Sequence, residues 1–337
     1  MAMSKSAAAA LIAARLQPFV DSGALRGVAV GAITGQQEVV CALGEVRADS
    51  VFEIGSLTKV MTALLLAEMC GRGEVALDDE LRSLLPPGTA VPSAEGRQVT
   101  LAQLAMHTSG LPRLPPGLMQ PGEAPEDPYA GFGEAELYRA LAETSIGTIG
   151  EFSSYSNFGY GLLGMALAHR AGRSFDELLV ERVLAPLGML ESGVALSEEL
   201  QDRLVTGHDS GAWAVPFWHF QAMAGCGAAH STVADMLRLA NAVLFGSRGP
   251  LAAEIELTIN PGVEVTVGPG TRRGLGWVIF SSAGRHVVWH NGGTAGFASY
   301  LAAVPEAGVA LVLLANSAWE ELTITGERLL AALVDQS

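Results

Sequence analysis

Strand-forming segments lie near both ends of this 337-residue chain, and a long, mainly helical middle separates them. Residues 26–46 have the pattern of two strands joined by a turn at Thr34-Gly35, which predicts a hairpin. Four more strand patterns follow near the C terminus, at 275–281, 285–290, 298–304 and 308–315. A doubly wound parallel sheet requires regular alternation of strands and helices, which this order lacks. We therefore predict an α+β fold whose single antiparallel sheet takes strands from both ends of the chain.

Helical patterns flank and interrupt the predicted sheet. An opening helix from Ala7 to about Ser22 and a closing helix from about Trp319 to Val334 would cover it. Residues 78–246 are mostly helical, apart from a proline-rich, irregular loop at 110–133. The chain is long enough for two domains of roughly 150 residues each. We predict a discontinuous sheet domain at 1–70 and 240–337, with a mainly helical domain inserted at 71–239.

The charge of the chain excludes several classes of partner. It has 35 Asp and Glu residues against 20 Lys and Arg residues, a formal net charge of -15. No basic block is present to bind nucleic acid or an anionic membrane, and no apolar run approaches the roughly 18 residues of a membrane span.

Cys41, Cys70 and Cys226 are widely spaced, which indicates buried thiols rather than disulfides or a zinc site. We expect neither a metal nor an organic cofactor.

The N-terminal segment lacks the pattern of a secretory signal, because Arg15 interrupts its apolar stretch. We therefore expect a cytoplasmic protein, or an exported, periplasmic one if a leader has been removed. The sequence leaves the oligomeric state open.

The sharpest functional signal is Ser56-Leu57-Thr58-Lys59, at the start of an apolar helix predicted from about Ser56 to Met69. Residues three apart on a helix share a face, about 4.5 Å apart along the axis. Of the 20 basic residues only two, Lys5 and Lys59, are lysines. A lysine amine can accept a proton, whereas arginine effectively never deprotonates. The pattern favours a serine nucleophile activated by lysine; the alternative is an ordinary helix-capping serine with a neighbouring lysine.

Two further motifs follow in order. Tyr155-Ser156-Asn157 lies in FSSYSNFGYGLLG, and His290-Asn291-Gly292 lies in VVWHNGGTAGF on a predicted strand. Together with VFEIGSLTKVMTALLLAEM around Ser56, they resemble the motifs of the penicillin-binding protein and serine β-lactamase superfamily. The similarity is to its class C β-lactamase, DD-peptidase and family VIII esterase branch, and it runs from about Gly27 to Ser317. It implies a sheet domain beside a helical domain, with the active site between them.

The resemblance also implies a role for each motif residue. Ser56 would attack a carbonyl and form an acyl-enzyme, while Lys59 and Tyr155 would transfer protons. The backbone N–H groups of Ser56 and Gly293 would form the oxyanion hole. The substrate-binding residues would be Asn157, His290, Asn291, Gly292 and Gly293. The expected partner is a small molecule or short peptide with an amide or ester bond: a β-lactam, a D-amino-acid peptide or a carboxylic ester.

Position 290 departs from the Lys-Thr-Gly motif, because it holds a histidine, which is mostly neutral near pH 7. Arg272, Arg273 and Arg285 are candidates to supply the missing positive charge. This departure favours a peptidase or esterase over a β-lactamase. The rival interpretation is a non-catalytic binding or regulatory module on the same fold. A G-x-G-x-x-G match at 159–164 lacks a preceding strand, so it indicates close helix packing rather than a nucleotide site.

Overall fold

The computed structural model describes residues 3–119, 126–246 and 249–336; the other residues of the predicted domains and of the 110–133 loop lie outside it. The strands are β1 Gly27–Thr34, β2 Gln37–Gly44, β3 Val51–Glu53, β4 Ser93–Ala94, β5 Arg97–Gln98, β6 Gly207–His208, β7 Ala214–Val215, β8 His230–Thr232, β9 Val265–Gly268, β10 Thr271–Arg273, β11 Val278–Ser282, β12 Arg285–Gly293, β13 Ala298–Val304 and β14 Val309–Ala315.

The helices follow the same order along the described chain. They are α1 Lys5–Asp21, α2 Thr58–Gly71, α3 Leu81–Leu84, α4 Leu101–Ala105, α5 Glu134–Glu143, α6 Asn157–Ala171, α7 Phe175–Leu179, α8 Glu198–Gln201, α9 Val233–Phe245, α10 Ala252–Ile259 and α11 Leu322–Asp335. Short 3-10 turns lie at Gly55–Leu57, Gln221–Cys226 and Pro305–Ala307, and a π-helical turn at Val180–Leu184 extends α7.

One eight-stranded sheet joins the two ends of the chain, in the order β2-β1-β14-β13-β12-β11-β10-β9. The hairpin β1–β2 meets the C-terminal strands through an antiparallel pairing in which Val28 lies opposite Ala315. The predicted antiparallel sheet is therefore confirmed. The last two strands of the sheet, β10 and the edge strand β9, were not predicted. β10 is three residues long and two of them are arginines, so it has no apolar pattern.

Helices cover both faces of the sheet. Alternate residues of β1 point to opposite sides: Val28 and Val30 pack with Ile12 of α1 and Leu329 of α11, whereas Ala29 belongs to the core on the other side. The predicted terminal helices on the sheet are thus confirmed. On the other face α9 packs against β1 and β14. Because α9 spans residues 233–245, it crosses the boundary predicted at residue 239.

The middle of the chain is mainly helical, as predicted, with α2 buried at its centre. Every residue of α2 from Thr58 to Met69 is buried, in contact with α6 and α10 among other elements. The middle also contains short paired strands, β4 with β5 and β6 with β7, while β8 pairs with β3. The described parts of the 110–133 loop contain no helix or strand.

The described helices include none that is both long and apolar enough to cross a lipid bilayer.

Candidate active site

Ser56 lies at the entrance to α2, on a turn that begins at Gly55. The 3-10 turn Gly55–Leu57 precedes the α-helix, which begins at Thr58 rather than at Ser56 as predicted. Gly55 has a φ of +50°, and a Cβ atom there would lie 2.6 Å from the Gly293 nitrogen. The close approach of β12 therefore depends on the missing side chain. Ser56 itself is half-buried.

Lys59 is completely buried, and its amine contacts the serine. Nζ donates hydrogen bonds to Ser56 Oγ at 3.0 Å and to the Cys226 carbonyl oxygen at 2.6 Å. The rings of Tyr155 and Tyr160 lie 4.8 and 5.7 Å from Nζ, measured to their centroids. Within the described residues no carboxylate lies within ion-pair distance of Nζ. The amine is thus held by neutral oxygens and aromatic faces, with the serine hydroxyl as one of its two acceptors.

Tyr155 completes the contacts of the serine. It lies in the loop before α6, and its hydroxyl donates to Ser56 Oγ at 2.6 Å. The structure therefore brings together the three predicted catalytic residues, Ser56, Lys59 and Tyr155, around one oxygen atom.

His107 lies behind Tyr155 and contacts the backbone on both sides of it. From the sequence, His107 in HTSGLP is predicted to be a structural loop residue rather than a catalytic one. Its carbonyl oxygen accepts from the Ser154 N–H at 2.8 Å, and its Nδ1 accepts from the Ser156 N–H at 3.0 Å. Its ring lies 4.6 Å from the Tyr155 ring. Burial, with a smaller contribution from the Lys59 charge, holds the pKa of His107 well below its usual value, so Nδ1 remains an acceptor. Only its place in HTSGLP could have indicated this contact from the sequence.

Asn157 is the first residue of α6, which the Ser156 hydroxyl caps by accepting from the Gly159 N–H at 2.9 Å. The Asn157 side-chain nitrogen donates to the Tyr129 hydroxyl at 3.3 Å. Its Oδ1 is buried and has no hydrogen-bond partner among the described residues. The described contacts place Asn157 beside Tyr129 rather than on Lys59.

His290 faces the site from β12 and is buried. Its Nδ1 lies 2.6 Å from the Asn291 carbonyl oxygen; because a carbonyl only accepts, Nδ1 carries the proton. Burial, followed by the charge of Lys59, lowers the pKa of His290 to about 3. Its ring centroid lies 6.3 Å from that of Tyr155. The imidazole is therefore a neutral group in the site.

The rest of the β12 motif divides between the two faces of the sheet. The exposed Asn291 side chain donates to Thr323 Oγ1 at 2.9 Å, so it points away from the serine. Gly292 and Gly293 pack against the serine turn. A Cβ at Gly292 would lie 2.2 Å from the Ile54 carbonyl oxygen and 2.9 Å from the Ser56 nitrogen. These glycines bring the backbone of β12 against that of the nucleophile.

The arginines named from the sequence lie at different distances from the site. Arg273 Nε donates to Ser153 Oγ at 3.2 Å, two residues from Tyr155. Arg272 bonds the Ile259 carbonyl and Asn260 instead, and Arg285 lines a groove beside α11. A fourth guanidinium, that of Arg113, lies 5.2 Å from the Tyr155 ring centroid and was not predicted.

A serine bonded by a lysine amine and a tyrosine hydroxyl thus lies between an antiparallel sheet and a helical region. Among the described residues, no group of three His, Cys, Asp or Glu side chains could hold a metal ion. The family model described as Beta-lactamase matches residues 12–334 of this chain, which therefore belongs to the Beta-lactamase family.

The names of two similar proteins agree with this family assignment. The chain is 32% identical to the D-alanyl-D-alanine-carboxypeptidase/endopeptidase AmpH of Escherichia coli (strain K12) over 312 residues, covering 86% of this chain and 79% of that protein. It is 30% identical to penicillin-binding protein 4 of Amycolatopsis lactamdurans over 325 residues, covering 90% of this chain and 80% of that protein. These similarities identify the chain as a hydrolase.

Solved structures share its fold. A β-lactamase/D-alanine carboxypeptidase from Yersinia pestis, complexed with citrate, superposes with a TM-score of 0.80 at 26% identity and covers 97% of this chain and 99% of its own. A protein of the same description from Pseudomonas syringae superposes with a TM-score of 0.83 at 18% identity, covering 98% and 99%. The predicted α+β class and superfamily are therefore confirmed.

Proposed function

We propose that the protein is a serine hydrolase that cleaves amide or ester bonds through an acyl-enzyme on Ser56. The observation that carries the proposal is the double hydrogen bond on Ser56 Oγ, from Lys59 Nζ at 3.0 Å and from the Tyr155 hydroxyl at 2.6 Å. Two proton-transferring groups on one alcohol oxygen provide both a route for its proton and a fixed direction for attack.

In the acylation step, Ser56 Oγ bonds to the substrate carbonyl carbon and its proton passes to the Lys59–Tyr155 pair. The pair returns the proton to the leaving nitrogen or oxygen as the scissile bond breaks. Water then repeats the sequence: it gives a proton to the pair, adds to the acyl carbon and releases Ser56 with its proton restored. General acid–base catalysis of this kind contributes about 10²–10⁴-fold to the rate.

Developing negative charge on the carbonyl oxygen would be stabilised by the backbone N–H groups of Ser56 and Gly293. The packing of Gly292 and Gly293 on the serine turn supports this assignment, because it places the two backbones side by side. One such donor is commonly worth about 10²–10³-fold in kcat.

The proposed substrates are peptides that end in D-alanine, with esters as a second reactive class. The name of the AmpH relative, a D-alanyl-D-alanine-carboxypeptidase/endopeptidase, supports the first. Because His290 is neutral, its contact with substrate would be a hydrogen bond rather than an ion pair. Asn157, beside Tyr129, would bind the acyl side with its unpartnered Oδ1.

The test is hydrolysis of three substrates: a peptide ending in D-Ala-D-Ala, p-nitrophenyl butyrate and nitrocefin. We expect the native protein to cleave at least the peptide, Ser56→Ala to lose the activity, and Ser83→Ala to retain it, because Ser83 lies on the surface helix α3. Mass spectrometry should find a penicillin or fluorophosphonate adduct on Ser56. Binding of penicillin without turnover or a covalent adduct would instead indicate a non-catalytic binding module and would overturn the proposal.

A further inference from the structure

Glu53 is a buried carboxylate close to the nucleophile that the proposed chemistry does not use. It ends β3, three residues before Ser56, and only 4% of it is exposed. No Lys, Arg or His nitrogen of the described chain forms an ion pair with it. Burial raises the pKa of Glu53 above its ordinary value, and its two hydrogen bonds oppose that shift. A buried carboxylate without a cation is costly, so the presence of Glu53 here requires an explanation. Its two hydrogen bonds indicate what the carboxylate does.

The first hydrogen bond joins Glu53 to the residue that follows Gly293. Thr294 Oγ1 donates to Glu53 Oε2 at 2.6 Å, and both side chains are buried. The Thr294 N–H in turn donates to the Phe297 carbonyl oxygen at 3.0 Å, which closes the tight connection between β12 and β13. The carboxylate therefore holds the end of β12 at the point where it carries the Gly293 N–H.

A second contact joins the residue after Glu53 to the neighbouring strand β13. Ser299 Oγ donates to the Ile54 carbonyl oxygen at 2.8 Å, and that oxygen lies 2.2 Å from the position a Gly292 Cβ would take. The segment that supplies the Ser56 N–H is thus tied to the end of β12 by Glu53 and to the neighbouring strand β13 by Ser299.

The second hydrogen bond of Glu53 leads to a different part of the site. Its Oε1 accepts from the Trp218 N–H at 2.7 Å. The Trp218 ring lies 5.5 Å from the ring of Tyr129, whose hydroxyl accepts from Asn157. The two oxygens of the Glu53 carboxylate therefore bind two different segments. Oε2 binds the segment that carries the oxyanion donor Gly293, and Oε1 binds the segment that carries the aromatic residues beside Asn157.

We propose that Glu53 is a positioning residue that sets the separation of the two oxyanion N–H donors through Thr294. This inference rests on the proposed function, which assigns the two donors to Ser56 and Gly293. If the inference holds, removal of the Glu53–Thr294 hydrogen bond alone reduces stabilisation of the transition state, while ground-state binding of substrate is retained. Small displacements of catalytic groups are costly: about 1 Å can lower the rate roughly 10²-fold.

The test compares Thr294→Val, which removes the donor at nearly constant volume, with Thr294→Ser, which keeps the hydroxyl. For Thr294→Val we expect kcat to fall at least about tenfold with KM within about twofold of the native value. Affinity for phenylboronic acid, whose tetrahedral adduct with Ser56 places an oxygen on the oxyanion donors, should fall by the same factor. Thr294→Ser should restore both. Thr34→Val, at a buried threonine on β1, controls for the substitution itself and should leave both values unchanged.

Glu53→Gln and Glu53→Leu complete the experiment. A glutamine can accept from Trp218 and donate to the Thr294 hydroxyl, so it should preserve the boronate affinity, whereas leucine should lose it. Thermal unfolding identifies any variant that fails to fold, and the threonine pair then carries the test. Equal boronate affinity in native protein and folded Thr294→Val would refute the role of Glu53. A native protein inactive on all three substrates would instead refute the proposed function.

Discussion

Substitution of Gly292 by alanine is the sharpest test of how the two halves of the site are packed. A Cβ at this position would lie 2.2 Å from the Ile54 carbonyl oxygen, 2.4 Å from Ser299 Oγ and 2.9 Å from the Ser56 nitrogen. Two of these atoms belong to the backbone, so rotation of a side chain cannot relieve the contacts. β12 and the serine turn must therefore separate by about 1 Å to reach ordinary van der Waals distances.

The expected cost has two parts. Overpacking of this kind typically destabilises a protein by about 1–3 kcal/mol. Separation by about 1 Å also displaces the Gly293 N–H from the Ser56 N–H, and a misplacement of that size lowers a rate roughly 10²-fold. We therefore expect Gly292→Ala to lower the melting temperature by several degrees and kcat by about two orders of magnitude.

The assay combines differential scanning calorimetry with hydrolysis of the best substrate. Two matched variants separate local packing from the general effect of replacing glycine in a strand. Gly268→Ala, in β9, meets no atom within 4 Å and should retain both stability and activity. Gly293→Ala would approach only the Phe297 carbonyl oxygen, at 3.4 Å, and should retain the melting temperature. A Gly292→Ala protein with native stability and native kcat would refute the packing argument.

Three further predictions follow from the contacts of the site. Lys59→Arg keeps a cation but cannot accept a proton, so kcat should fall about 10²–10⁴-fold in steady-state assays, and undiminished activity would contradict a role for the amine. His107→Ala removes the acceptor for the Ser156 N–H and the ring behind Tyr155, so kcat should fall more than KM rises, and His107→Asn should recover part of the loss. The pKa of His290 is about 3 in the folded protein and near 6.5 when unfolded, so the unfolded chain binds the extra proton and stability falls as pH drops through that interval. Urea denaturation at pH 7 and about 4.5 should show His290→Gln losing less stability on acidification, by at most about 3 kcal/mol; equal losses would refute the assignment.

The sequence predicts best where a contact depends on local geometry. Ser56 and Lys59 lie three residues apart at a helix start, and their hydrogen bond follows from helical spacing even though the first turn is 3-10. Strand periodicity could have improved one further prediction. Residues 290 and 291 are adjacent on a strand, so their side chains face opposite ways, and only His290 could line the site.

Contacts between distant segments were not predictable in this way. The Cys226 carbonyl oxygen that accepts from Lys59, and the bond of Glu53 to Thr294, join residues separated by 167 and 241 positions. No periodic pattern encodes such a pairing, because it depends on how helices and strands pack. A carbonyl acceptor is also invisible in a sequence, since every residue has one. The resemblance to known motifs indicated which residues meet, but not what holds them there.

The geometry around Lys59 gives a reason for a lysine there that is separate from proton transfer. The described site offers the amine two acceptors, the Cys226 carbonyl and the Ser56 hydroxyl, within a completely buried environment. An ammonium has three N–H donors, whereas a guanidinium has five in a fixed plane. An arginine would therefore leave more donors buried without partners, each at about 1–3 kcal/mol. All the other basic residues of the chain except Lys5 are arginines. At position 59, packing and chemistry both favour lysine. The activity of Lys59→Arg must therefore be compared with its stability. A folded but inactive variant would show that the loss comes from proton transfer, whereas an unfolded variant would show that the buried donors lack acceptors.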